Sequence, residues 1–143
     1  MAPSRSPFAY AVIRVVPDIE REEFLNAGLI VFGRPHRFLR ARASLDVAAL
    51  DALRPGCDHD GIRDQLRFIE SVAAGEIIAA PFATMSQSER FHWLTTPRST
   101  LVQTAPLHGG TTDDPAATFE RLYRMLVTRT PATEEDHGPD PTA

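Results

Sequence analysis

Lysine is missing from this 143-residue chain, in which all 15 basic residues are arginine. Asparagine occurs once, at Asn26, and cysteine once, at Cys57. Each absence excludes some chemistry. Without lysine there is no Schiff base, no phosphate-loop lysine and no lysine general base. A lone cysteine makes no internal disulfide, which fits a reduced, cytoplasmic setting. No apolar run is long enough to predict a transmembrane helix. The opening residues, Met1-Ala2-Pro3-Ser4-Arg5-Ser6-Pro7, lack the apolar core of a signal peptide. Lys and Asn share A-rich codons, so a GC-rich genome depletes both, and arginine covers most of lysine's surface work. An asparagine retained against that pressure stands out.

What is present fits one soluble globular domain, with 43% hydrophobic and 24% charged residues. The net charge of −4 is unevenly spread. Residues 1–42 carry seven Arg against four acids, and residues 43–143 carry eight Arg against 15 acids. From Ala132 onward there are four acids and no Arg, which leaves residues 1–131 with 15 of each sign. A neutral body argues against nonspecific nucleic-acid binding, which needs an electropositive surface.

Residues 1–7 and 130–143, rich in Pro and polar residues, are expected to be disordered, leaving one domain over residues 8–129. Phe8–Val16 reads as a central strand, apolar on both faces. Asp18–Glu23 is a charged loop or one helical turn, and Phe24–Phe32 is a second strand in which Gly28 marks a bulge or a close backbone approach. After the Gly33-Arg34-Pro35 turn, His36–Ala43 alternates as a half-exposed third strand. Asp46 caps a short helix, Val47–Leu53. A longer helix, His59–Ala74, carries the stripe Ile62, Leu66, Ile69, Ala73 and ends at Gly75. Residues 76–89 read as a long connection, with strands at Phe91–Thr95 and Thr100–Leu107. Asp114-Pro115 opens a last helix with the stripe Phe119, Leu122, Tyr123, Leu126, Val127. The order β-β-β-α-α-β-β-α predicts an α+β fold: a mainly antiparallel or mixed sheet of about five strands packed with two to three helices.

Three segments concentrate polar residues. The first joins the two central strands, and pairing of those strands is expected to bring Arg14 near Glu23, beside Asn26. Its plainer reading is structural, with Glu23 in a local ion pair and Asn26 satisfying backbone at the Gly28 bulge. The second is Thr96-Pro97-Arg98-Ser99-Thr100. The third, His108-Gly109-Gly110-Thr111-Thr112-Asp113-Asp114, resembles an anion-cradling loop, but Asp113 and Asp114 sit where a phosphate would go, which favours a structural loop. Of the five histidines, none has zinc-ligand spacing, and Cys57-Asp58-His59-Asp60 precedes a helix that an Asp would simply cap. No metal or cofactor is expected. The run Arg34, His36, Arg37, Arg40, Arg42 has only Phe38 as an interleaved aromatic, too few for a stacking platform. Arg40 and Arg42 are expected to pair with helix acids.

Tyr10–Val16 with Pro17-Asp18, then Arg21–Gly28, resembles the opening of a small bacterial family, the domain of unknown function numbered thirty thirty-seven. Ser88-Glu89-Arg90-Phe91, Pro97-Arg98-Ser99-Thr100 and Arg121-Leu122-Tyr123 are similar to it too, over about Phe8–Val127. The resemblance implies recurring polar positions at Glu23, Asn26, Gly28, Arg98 and Ser99. It implies no defined reaction or cofactor. It implies proximity to genes for HipA-like kinases, and hence a kinase partner. The expected function is therefore a non-enzymatic accessory or protein-interaction domain. The alternative is a small enzyme or ligand-binding protein whose site gathers Arg14, Glu23, Asn26, Arg98, Ser99 and His108. Nucleic-acid binding through Arg34–Arg42 ranks third. The edge strand His36–Ala43 is open to homo-oligomer pairing.

Overall fold

Runs of branched and aromatic residues near the N-terminus make three consecutive antiparallel strands. The computed structural model describes residues 5–98 and 100–128. Strand β1 is Ser6–Asp18, β2 is Glu23–Gly33 and β3 is Phe38–Ala43. Both hairpin turns use one device: a single 3-10 turn followed by a left-handed residue, Glu22 (φ 56°) after Ile19–Arg21 and Arg37 (φ 51°) after Arg34–His36. The second turn takes up His36 and Arg37, so β3 starts two residues later than the alternation suggests. At the first turn Asp18 accepts the Glu20 N–H at 3.1 Å.

The helices follow their caps. Asp46 caps α1 (Val47–Leu53), Asp58 caps α2 (His59–Ala74), and Gly75 closes α2 with φ 75°. The expected strand Phe91–Thr95 is instead the end of α3, Gln87–Leu94. Its FHWLT composition favours a strand locally, but Ser86 and Glu89 form a reciprocal capping box that starts a helix. Strand β4 is only Val102–Thr104, shorter than Thr100–Leu107. The expected Gly-Gly-Thr-Thr loop is a strand, β5, His108–Thr112. Helix α4, Pro115–Leu126, begins where Asp114 accepts the Ala117 N–H. Among the described residues the order is β-β-β-α-α-α-β-β-α, an α+β fold of five strands and four α-helices, as expected apart from the added α3.

The sheet is antiparallel with five strands in the order β3-β2-β1-β4, and β5 also lies on β1. Strands β4 and β5 run end to end along the same edge of β1, shifted by one residue around Pro106. Pairing with β5 draws Ser6 and Pro7, expected to be disordered, into β1. Met1–Ser4, Ser99 and residues 129–143, hence the predicted acidic tail, lie outside the described residues.

Being central, β1 is covered on both faces. Ala9, Ile13 and Val15 join Leu25, Ala27, Ile30, Ile62, Leu66, Val72 and Leu94 in the larger core, beneath α1, α2 and α3. On the other face Leu29 and Val31 pack with Phe119 and Leu122 of α4. Phe119 is fully buried, and truncating such a ring costs about 3–5 kcal/mol. No helix among the described residues is long and apolar enough to cross a membrane.

Candidate functional site

Where β1 meets β2, Ile13 pairs with Gly28 but Arg14 pairs with Asn26, so Ala27 is an extra residue. This is a β-bulge, as Gly28 suggested. A Cβ on Gly28 would lie 2.7 Å from the Arg42 carbonyl and 2.8 Å from Ile13 Cδ1, so only glycine fits. The bulge changes which face each later side chain takes. Leu25 and Ala27 enter the larger core, while Asn26 turns to the α4 face. There its Nδ2 donates to the Leu126 carbonyl at 3.1 Å. That carbonyl is among the last four of α4, which have no partner within the helix. Asn26 does satisfy backbone, but of a helix end 100 residues away rather than of the bulge.

Arg14 and Glu23 do not pair. The Arg14 guanidinium stacks 4.0 Å from the centre of the Phe24 ring, while Glu23 forms an ion pair with Arg21. Arg14 Nε is buried with no hydrogen-bond partner among the described residues. Along β1 from Arg14 lie Val12 and Tyr10, and His108 stacks on Tyr10 at 5.3 Å, with Phe8 next at 6.1 Å. Gln103 lies opposite Arg14.

Helix α4 packs chiefly on β2 and β3, and Phe8 and Tyr10 of β1 also pack against its Phe119–Leu122 cluster. Its orientation is fixed on both flanks. On one, Glu120 takes a bidentate pair from Arg42 at 2.8 and 2.9 Å, with Arg40 at 4.0 Å. On the other, Thr118 shares a buried hydrogen bond with Thr112 at 2.7 Å. Met125, two turns on from Thr118 along that second flank, is 67% exposed, and Phe24 is 47% exposed. The result is an open trough. Tyr10, Val12 and Arg14, all half-buried, form its floor, which β4 and β5 continue as neighbouring strands, and α4 is its one wall.

Arg98 is elsewhere. It stacks on Trp93 at 4.0 Å, donates to the Trp93 carbonyl at 2.9 Å, and lines a cleft of about 360 Å³ with Asp64 and Phe68 of α2. That cleft is on the opposite face of the sheet. Arg14 and Asn26 are neighbours, and His108 is on their face, but Glu23 is at the hairpin tip and Arg98 is across the core. These five do not share a pocket, and Ser99 is outside the described residues. A polar cleft of about 300 Å³ adjoins Asn26, lined by Ser44, Tyr123 and Thr128. Burial raises the Tyr123 phenol above its ordinary value, partly offset by Arg42.

The other candidates resolve into structure. Hydrogen bonding from Arg42 lowers the Glu120 carboxyl and raises Arg42. Arg40 and Arg42 also lie over the Phe119 ring, at 5.4 and 5.0 Å. Cys57 donates to the Arg54 carbonyl, and His59 bonds Asp51 at 2.8 Å rather than Cys57. No cluster of three or more His, Cys, Asp or Glu able to hold a metal occurs among the described residues. The trough itself escaped the sequence. Its signal was the i, i+2 series Phe8, Tyr10, Val12, Arg14, whose half-exposure shows only when α4 is seen to lie over β2.

A family model described as a protein of unknown function, DUF3037, matches residues 10–127. No curated protein and no solved structure matches the chain.

Proposed function

The chain belongs to the DUF3037 family, and on that premise we propose that it is an accessory protein-interaction domain whose docking surface is the open trough. One observation carries this reading. Among the described residues α4 covers this sheet face chiefly over β2 and β3, leaving stacked rings and a fixed guanidinium half-buried and Phe24 and Met125 exposed. Aromatic, Met and Arg side chains are the ones enriched where proteins dock. The polar groups that a small catalytic site would need are engaged structurally instead: Asn26 on a helix end, Arg98 on Trp93, Glu23 on Arg21. The partner that the family resemblance implies is a HipA-like kinase encoded beside it. Titration calorimetry with that kinase tests the reading. A saturable complex is expected, weakened by about tenfold or more in Tyr10→Ser. No complex, or one indifferent to Tyr10→Ser and Met125→Ser, overturns it.

A further inference from the structure

We infer that the segment docking in the trough carries an Asp or Glu whose carboxylate is bound by Arg14, which makes Arg14 the residue that selects the partner. The inference rests on the trough being the docking surface and adds the chemistry of what enters it.

Arg14 is a charge without a complement among the described residues. On β1 it stands between two amides, Asn26 on β2 and Gln103 on β4. These cross-strand positions are where a strand arginine gains from an opposite charge. Both amides turn to backbone instead, Asn26 Nδ2 to the Leu126 carbonyl at 3.1 Å and Gln103 Nε2 to the Thr100 carbonyl at 2.8 Å. Glu23, next to Phe24 in the chain, is taken by Arg21, and Glu120 of α4 by Arg42. Arg14 Nε is buried and has no hydrogen-bond partner among the described residues. A buried donor in that state costs stability until an acceptor reaches it.

The surroundings select a carboxylate. Phe24 covers one face of the guanidinium, 4.0 Å from the ring centre, and leaves the N–H edge to match a carboxylate in two parallel hydrogen bonds. Stacking also holds the side chain in place, so little rotamer freedom is lost when the acid arrives. Tyr10 and Val12 beside it are half-buried. One guanidinium among apolar side chains fits a single acid within an apolar segment, whereas a polyanion such as nucleic acid needs a basic stripe.

Titration calorimetry with the HipA-like kinase tests this on the full chain, with Tyr10→Ser reporting on the trough and Arg14→Gln on the carboxylate. Arg14→Gln is expected to weaken the complex by about tenfold or more. That loss should shrink as salt is raised from about 0.1 M to about 1 M. Arg14→Lys, which keeps the charge without the planar fork, should restore only part of the affinity. In the parent complex the Arg14 Nε–H proton resonance should shift, a readout that needs no variant if Arg14→Gln does not fold. A complex weakened by Tyr10→Ser but indifferent to Arg14→Gln, with the Nε–H resonance unmoved, overturns the inference and leaves the trough as the docking surface. A loss equal at both salt concentrations also overturns it, because Arg14 then acts only by packing on Phe24. No complex at all overturns the trough reading and this inference with it.

Discussion

The Asn26 amide donates to the Leu126 carbonyl at 3.1 Å, joining the bulge of β2 to the last turn of α4 across 100 residues of chain. The bond closes one end of a helix whose other end is closed by Asp114 and by the Thr112–Thr118 pair. Asn26→Ala is expected to lower stability by about 1–2 kcal/mol, because an orphan carbonyl loses its donor. Asn26→Asp should be worse, since a carboxylate would face a carbonyl at the negative end of the helix. Chemical denaturation of the two variants beside the parent checks both the size and the order.

Gly28 is the companion of that bond. In Gly28→Ala the new methyl would press on the Arg42 carbonyl, and backbone there cannot swing aside as a side chain would. A loss of about 1–3 kcal/mol is expected. Amide exchange should quicken first across the β2–β3 ladder near Ala43. A variant as stable as the parent would show that the strands separate freely.

Helix α3 depends on its first turn. Ser86→Ala removes the acceptor for the Glu89 N–H and is expected to cost about 1 kcal/mol. Faster amide exchange confined to residues 87–90 is the check, with α2 unaffected.

The Arg42–Glu120 pair ties β3 to α4 and gives a pH dependence of known sign. The Glu120 carboxyl is lowered in the folded chain. Its contribution is therefore fully present above the unfolded carboxylate value, about 4.3, and is lost as pH falls through the lower folded value. The group is exposed, so the effect is small and weakened by salt. Thermal unfolding from neutral to acid pH should show a shallower decline in Glu120→Gln than in the parent.

Much of the framework was legible in local sequence. The β-branched run of β1, the apolar stripe of α2 with its Gly75 stop, and the Asp114-Pro115 start of α4 each carry their own signal. Two elements depend on something else. FHWLT reads as a strand until Ser86 and Glu89 are weighed as a cap eleven residues after Gly75. HGGTT carries two glycines that weaken its strand signal, and it is extended where the overhang of β1 beyond β4 offers it unpaired backbone. The site divides likewise. Scarcity singled out Asn26, and Gly28 announced the bulge. The partner of Asn26 lies on a helix no local pattern connects to it. Arg98 read as a companion of Arg14 only while the two faces of the sheet were undistinguished, whereas His108 does share the face of Arg14.

The guarded edge of β3 adds a contrast. Glu70 of α2 accepts the outward Ala43 N–H, and Gln87 donates to the Arg37 carbonyl, so that edge is partly taken up within the chain.

Strand β1 has a consequence in time. It precedes every other strand in the chain, yet it sits in the middle of the sheet, and its partners β4 and β5 come only after α1, α2 and α3. A nascent chain that has reached Ala74 can close the three-stranded meander under α1 and α2. One edge of β1 then waits, with Leu29 and Val31 uncovered, until residues 102–126 emerge. Long-range closure of this kind is slow and leaves a sticky intermediate. Closing the sheet and covering Leu29 and Val31 are thus the steps that wait for β4, β5 and α4.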